Sequence, residues 1–261
     1  MNKFITLVTA FKKFKGLYNM IQHSALYSWK AQDIQVIASA NEVGVDTNCA
    51  GYSNVSLIPD VKRAREIGFE NQSPIVRDLI EKSLLLAKTP MMGLINSDII
   101  LTEGFADRLT NIFDKYGFNI FLVVSRHNVQ LNYTVNSPET YKQIQEEKRL
   151  PFDASTSSDL FITSKYWWRK IISTMPDFIL GRYAWDNWLH MYAELNINKD
   201  RYNGSKALNI LHCDHSHVHI FTQEKAREKE APSSQHNIKL WEKTRGVYGT
   251  TRISDWKVIE L

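Results

Sequence analysis

Phe4-Ile-Thr-Leu-Val-Thr-Ala-Phe11 is a short, unbroken run of apolar and β-branched residues, the pattern of a strand buried on both faces. From Gly16 to Lys30 the apolar residues Leu17, Met20, Ile21, Ala25, Leu26 and Trp29 recur at helical spacing. Ile34-Gln-Val-Ile-Ala-Ser-Ala40 returns to the strand pattern. Strand, helix and strand in this order predict a right-handed crossover between parallel neighbours, and with it an α/β chain.

The same reading extends outward. Val55–Ile58 reads as a strand ending at Pro59, and Val61–Ile67 as a basic turn. Ser73-Pro74 opens a helix, with Ser73 as N-cap and Ile75, Leu79, Ser83 and Leu86 on one face; Thr89-Pro90 closes it. Met91-Met-Gly-Leu-Ile95 is a third buried strand, running straight into Asn96-Ser97-Asp98. Helix is expected over Glu103–Tyr116 and Trp185–Leu195, and strand over Ile120–Val124, Asp159–Thr163 and Leu208–Leu211. Residues 130–156 are polar and read as a long loop carrying one short helix, Ser137–Lys148. The expected architecture is a single domain with a mostly parallel central sheet flanked by helices, spanning 1–221, and a charged extension, 222–261, packing on it.

A chain of 261 residues, 43% hydrophobic and 23% charged, is long enough to bury a large core. Its net charge of +4 is spread along the sequence, which suits anionic small molecules and gives no footing for nucleic acid. Cys49 and Cys213 are far apart and outside any CxxC spacing, so a reducing, cytoplasmic setting is expected. No stretch approaches the roughly 18 apolar residues of a membrane span. Lys12, Lys13 and Lys15 follow the first apolar run where a signal peptide would carry small residues.

Ligands of open α/β sheets sit beyond the carboxyl ends of the strands, which directs attention to the polar residues there. Asn96-Ser97-Asp98 is one such group; a carboxylate at a strand end can hold a divalent cation against two phosphates, or simply make a turn. His212-Cys-Asp-His-Ser-His-Val-His219 is a second, with alternate side chains of an extended segment facing one way. A metallohydrolase of the H-x-H-x-D-H type is excluded because Ile210 stands two positions before His212. In Gly181-Arg-Tyr-Ala-Trp-Asp-Asn-Trp188, Asp186 lies between two indoles, whose desolvation would raise its pKa and suit a general base; the plainer role is a charge at a helix N-terminus. Arg63, Arg65 and Arg77 form a softer basic group, more often a solvated face than a phosphate site.

Taken in order, ITLVTAF, QSPIVRDLIEKSL, MGLINSDIIL, SSDLFITSK, MPDFILGRYAWDNW and LHCDHSHVH resemble glycosyltransferases of the nucleotide-diphospho-sugar transferase (GT-A) superfamily, of the family 2 type, from about Phe4 to His219. The resemblance implies a GT-A-type, Rossmann-like fold. It places Asn96-Ser97-Asp98 on the D-x-D motif, with Asp98 as the retained carboxylate and Asn96 as a departure that lowers the charge. It implies that Asp98, His212 and His215 hold Mn2+ or Mg2+, and that Thr9, Ala10 and Phe11 border the nucleotide. Ser158 and Asp159 would face the donor sugar or the acceptor.

The expected reaction is transfer of a sugar from a UDP- or GDP-linked donor to a hydroxyl of a glycan or other acceptor, inverting, with Asp186 as base. Trp185 and Trp188 would stack on the acceptor sugar. Asn96 keeps open a nucleotide-sugar-binding protein without catalysis, and the histidine cluster a metal-dependent hydrolase. A nucleotidyltransferase would carry a glycine-rich loop after the first strand, where this chain has Gly16 alone.

Overall fold

The computed structural model describes residues 2–150, 157–214, 231–245 and 255–260. The opening unit is β1 (Ile5–Ala10), α1 (Leu17–Ala31) and β2 (Gln35–Ser39), with β1 and β2 parallel as the sequence predicts. A short α2 (Val45–Cys49) leads to β3 (Val55–Ile58), and α3 (Val76–Leu86) to β4 (Met91–Ile95). Then come β5 (Ile99–Ile100), α4 (Phe105–Tyr116), β6 (Phe121–Val124), β7 (Arg126–Val129), α5 (Pro138–Glu146) and β8 (Arg149–Leu150). The second half holds β9 (Leu160–Ser164), α6 (Lys165–Thr174), α7 (Trp185–Asn196), β10 (Arg201–Asn203), α8 (Ser205–Leu208) and β11 (Ile210–Cys213). After residue 221 the described elements are α9 (Pro232–Arg245) and β12 (Lys257–Val258).

Eight strands form the central sheet in the order β12-β10-β6-β9-β4-β1-β2-β3. β9 runs antiparallel to both its neighbours, β4 and β6; the other pairings are parallel. Successive strand residues point to opposite faces, so Leu7 joins a core under α1 and α4 while Val8 joins one under α3, α6 and α7. Gly93 marks a close approach between side chains of the flanking strands: a Cβ there would stand 3.0 Å from Leu7 Cδ2 and 3.1 Å from Leu160 Cδ1. A second, four-stranded sheet, β5-β11-β7-β8, stands beyond the carboxyl ends of β4 and β6.

Several local expectations change. Ser73 does not cap α3: the N-cap is Ile75, without a side-chain cap bond. Pro74 and Ile75 are drawn into bridges with Arg63 and Ile179, which holds this stretch extended. Leu208 ends a helix instead of starting a strand, and Asn209, at φ 45°, turns the chain into β11. The expected loop 130–156 does hold a helix; Ser137 Oγ accepts the Thr140 N–H at 3.3 Å and caps α5. In the tail, Leu240 and Trp241 of α9 pack on the core under α7, and β12 adds an edge strand beside β10. Among the described residues no helix is long and apolar enough to cross a membrane.

Candidate functional site

The turn after β4 is stitched to its neighbours before any side chain acts: Asn96 N–H donates to Asp159 O at 3.0 Å, and Asp159 N–H to Val124 O at 3.1 Å. These bonds bring the ends of β4 and β6 and the start of β9 to one edge of the sheet. Asp159, only 2% exposed, sits at their meeting point. Its Oδ1 accepts from Arg126 Nη1 at 2.8 Å and from Asn96 Nδ2 at 3.1 Å, and its Oδ2 from the Arg126 backbone N–H at 3.2 Å. Both carboxylate oxygens are thus engaged by donors of this chain, in place of the sugar or acceptor that the resemblance implied they would face.

The network continues across the small sheet. Arg126 Nε donates to Asn128 Oδ1 at 3.0 Å, and His212 Nδ1 lies 3.2 Å from the same oxygen. Arg126 can only donate, so the Asn128 atom is an acceptor and His212 must carry its proton on Nδ1. His212 Nε2 then faces Asp98 Oδ2 at 3.5 Å. An imidazole nitrogen and a carboxylate oxygen are ligand types that a divalent cation takes. Asn96, Asp98, Asp159 and His212 thus lie in one chain of contacts, completed by Arg126 and Asn128, which the sequence reading passed over. Both follow the strand Ile120–Val124, where the strand-end rule would have found them.

The remaining candidates divide. Ser97, 9% exposed, donates to Gln22 Oε1 at 3.1 Å, and the Lys12 N–H donates to the same oxygen at 2.7 Å, which ties the turn to the segment after β1. Thr9 is buried and donates to Ile95 O at 2.8 Å; Phe11 is buried against Phe14 and Trp29. Of the β1 trio, Ala10 alone retains an accessible edge. His215 lies outside the described residues. Among the described residues no group of three His, Cys, Asp or Glu side chains gathers into a metal cage. Arg77 is committed to Asp177 at 2.7 Å, and Arg63 to Gln72 at 3.3 Å.

Trp185 and Trp188 correct the stacking expectation. They are 7% and 3% exposed, and their rings lie against Phe161 and against Phe178 and Tyr192. Rings so covered present no open face to a sugar, because packing under α7 takes the indole area that stacking would need.

Between them, Asp186 is only half-buried by area yet set deep among protein atoms at the N-terminus of α7. Desolvation raises its pKa, with the Asp159 carboxylate adding to the effect, and this outweighs the Asn187 N–H that donates to Asp186 Oδ1 at 2.9 Å. Ala184, the N-cap, holds a left-handed φ of 79°, an uncommon conformation for a residue with a Cβ.

One turn on, at the i+4 position, stands His190, a buried ring that the sequence reading missed although the spacing pointed to it. Its Nε2 lies 2.6 Å from Ser158 Oγ, and burial pulls its pKa down from 6.5 to about 4. α7 therefore presents a carboxyl of raised pKa and a neutral imidazole toward the start of β9.

Neither a family model nor a curated protein sequence matches this chain. Among solved structures, it is similar to S. aureus TarS 1-349 in complex with UDP-GlcNAc, with a TM-score of 0.50 at 10% identity over 92% of this chain and 71% of that one. TarS 1-349 in a second structure gives 0.49 at 11% identity, over 91% and 69%. Bifunctional IspDF from Campylobacter jejuni gives 0.42 at 9% identity, and there the match spans 77% of this chain and 49% of the longer one. The fold is that of the GT-A-like α/β proteins, with a mostly parallel sheet between helices.

Proposed function

We propose that the protein is a nucleotide-sugar-dependent glycosyltransferase whose site is the edge where β4, β6 and β9 meet the small sheet. The observation that carries this reading is the run of contacts Asp98–His212–Asn128–Arg126–Asp159–Asn96, which concentrates charged and amide groups at the ligand-binding edge of a GT-A-like sheet. The UDP-GlcNAc complex of TarS, a protein of similar fold, supports it.

Asp98 and His212 suit a divalent cation. They offer a carboxylate oxygen and an imidazole nitrogen 3.5 Å apart, and Asn128 fixes the ring proton on the far nitrogen. When bound, Mn2+ or Mg2+ supplies positive charge against a diphosphate leaving group. Arg126 is half-buried beside it, and its cationic guanidinium favours the same anionic group. Asp159 holds Arg126 and Asn96 in place. Asp186 takes the proton of the acceptor hydroxyl, and its raised pKa makes it a stronger base than an ordinary carboxylate. Attack from that side inverts the anomeric centre.

Thermal unfolding with UDP, GDP and their sugars, with and without Mn2+, tests the assignment. The expected result is a metal-dependent rise of the midpoint with one diphosphate class and none with the free base. A rise with metal alone and with no nucleotide would overturn it.

A further inference from the structure

β7 has two faces. Arg126 and Asn128 look into the network just described, while His127 looks the other way, into an open cavity of about 510 Å3. That cavity is lined by His127 of β7, Arg149 of β8, Ser205 and Lys206 of α8, and Asn209. Every one of these five side chains can donate a hydrogen bond, two are permanently cationic, and none is a carboxylate. Three elements far apart in sequence supply them, so the grouping is made by the fold.

The cations remain available. Arg149 Nη1 and Nη2 donate to the carbonyls of Glu147 and Gln145 at 2.8 and 3.3 Å, bonds that orient the guanidinium and leave its charge in place. Lys206 reaches Glu260 at 2.6 Å, with both side chains about two-thirds exposed, and water-screened pairs of this kind yield readily to a stronger anion. Asn209 keeps the left-handed conformation, φ 45°, that turns the chain between α8 and β11 beside the cavity. Ser205 Oγ accepts the Ser125 N–H at 2.8 Å, so the cavity floor is tied to the end of β6. Its volume exceeds that of a bare phosphate and leaves room for the organic group bearing one.

We propose that this cavity is an oxyanion subsite that takes the phosphate of an organic phosphate. Because it shares β7 with the strand-end network, it holds the anionic part of the second substrate, an assignment that rests on the transferase reading; the binding of phosphate does not.

The test uses the full chain, with inorganic phosphate and glycerol 3-phosphate as probes and glycerol as neutral control, followed by NMR of the histidine rings. The expected result is saturable binding of both phosphates, absent with glycerol, that moves the His127 ring and leaves His212 in place. Arg149→Gln is expected to weaken binding about tenfold, the scale of one charge-assisted hydrogen bond. Lys206→Gln, on the exposed rim, should weaken it less. Circular dichroism and an unchanged His212 signal would show that Arg149→Gln is folded. Equal affinity in the parent and Arg149→Gln, or a phosphate response centred on His212, would overturn the subsite. If nucleotides fail to bind while the His127 response persists, the transferase reading falls and the oxyanion site stands.

Discussion

The two sheets solve different problems with the same chain. In the central sheet, strands such as β1, β2 and β4 are covered on both faces, and their side chains are mostly apolar, with Thr6, Thr9, Gln35 and Ser39 as buried polar exceptions. In the small sheet only one face is core, where Ile100, Val129 and Leu211 pack together. The other carries Arg126, Asn128 and His212, joined to one another and to Asp159 by hydrogen bonds. Burial of apolar area, at about 25 cal/mol per Å2, drives the first sheet together. The second holds its polar face by satisfied charges, which contribute less to stability and fix geometry more. The central sheet is a platform, and the proposed site is built on the lesser sheet and the turns that join it to the platform.

The largest expected effect comes from Asp186, the proposed base, which stands on α7 outside both sheets. Asp186→Asn is expected to lower transfer by about 10^2 to 10^4-fold, the range for losing a general base, while nucleotide binding stays near that of the parent. Its stability should move the other way. Burial raises the folded pKa of Asp186, so its contribution to stability is full in acid and is lost as pH rises through that folded value. Above that value the ionised carboxyl is therefore a burden that the neutral amide removes. The variant should melt higher than the parent on the alkaline side of that value, with the gap closing in acid; retained turnover would end the base assignment.

A second substitution asks whether the small sheet is held by its charges. Asp159 is 1% exposed at its side chain and depends on Arg126. Arg126→Gln is expected to cost about 3–5 kcal/mol in denaturant unfolding, because a buried carboxylate loses its cation. Adding Asp159→Asn should recover much of that loss, since the orphaned charge is then gone. A loss below about 1 kcal/mol in the single variant would put the pair among ordinary surface ion pairs and dissolve the contrast between the sheets.

That contrast also explains what could be read from the residues. Runs such as Phe4–Phe11 and Met91–Ile95 announce themselves because a strand buried on both faces is predominantly apolar along its whole length. Asn96, Asp98 and His212 were legible as polar groups at strand ends, and the fold brings them into one run of contacts. Arg126-His-Asn-Val129 carried a fainter signal: four residues with one polar face show no periodicity, the pairing with β11 is distant in sequence, and only the place after Ile120–Val124 marked it. Trp185 and Trp188 misled for the opposite reason: indoles beside polar residues look exposed, yet the helix turns both into the core under Phe161 and Phe178. Ser73 shows the same limit at a helix start, where pairing with Arg63 and Ile179 overrode a good local cap.

His190 gives the smallest of these effects and the one that locates the boundary between platform and site. The ring is packed against Phe161 and Trp256 yet bonds Ser158, the residue beside Asp159. Its folded pKa is depressed from 6.5 to about 4, so its contribution to stability is complete above pH 6.5 and is lost as pH falls toward 4. The depression corresponds to roughly 3 kcal/mol over that window. Carboxylates elsewhere also titrate in acid, so the measurement is a difference: unfolding free energy of the parent against His190→Gln, whose amide keeps a partner for Ser158 and does not ionise. The two curves should converge between pH 6.5 and 4 as the parent loses its advantage. Parallel curves would mean that His190 reaches water through the site, in which case the neutral imidazole belongs with the polar network and not with the core beneath it.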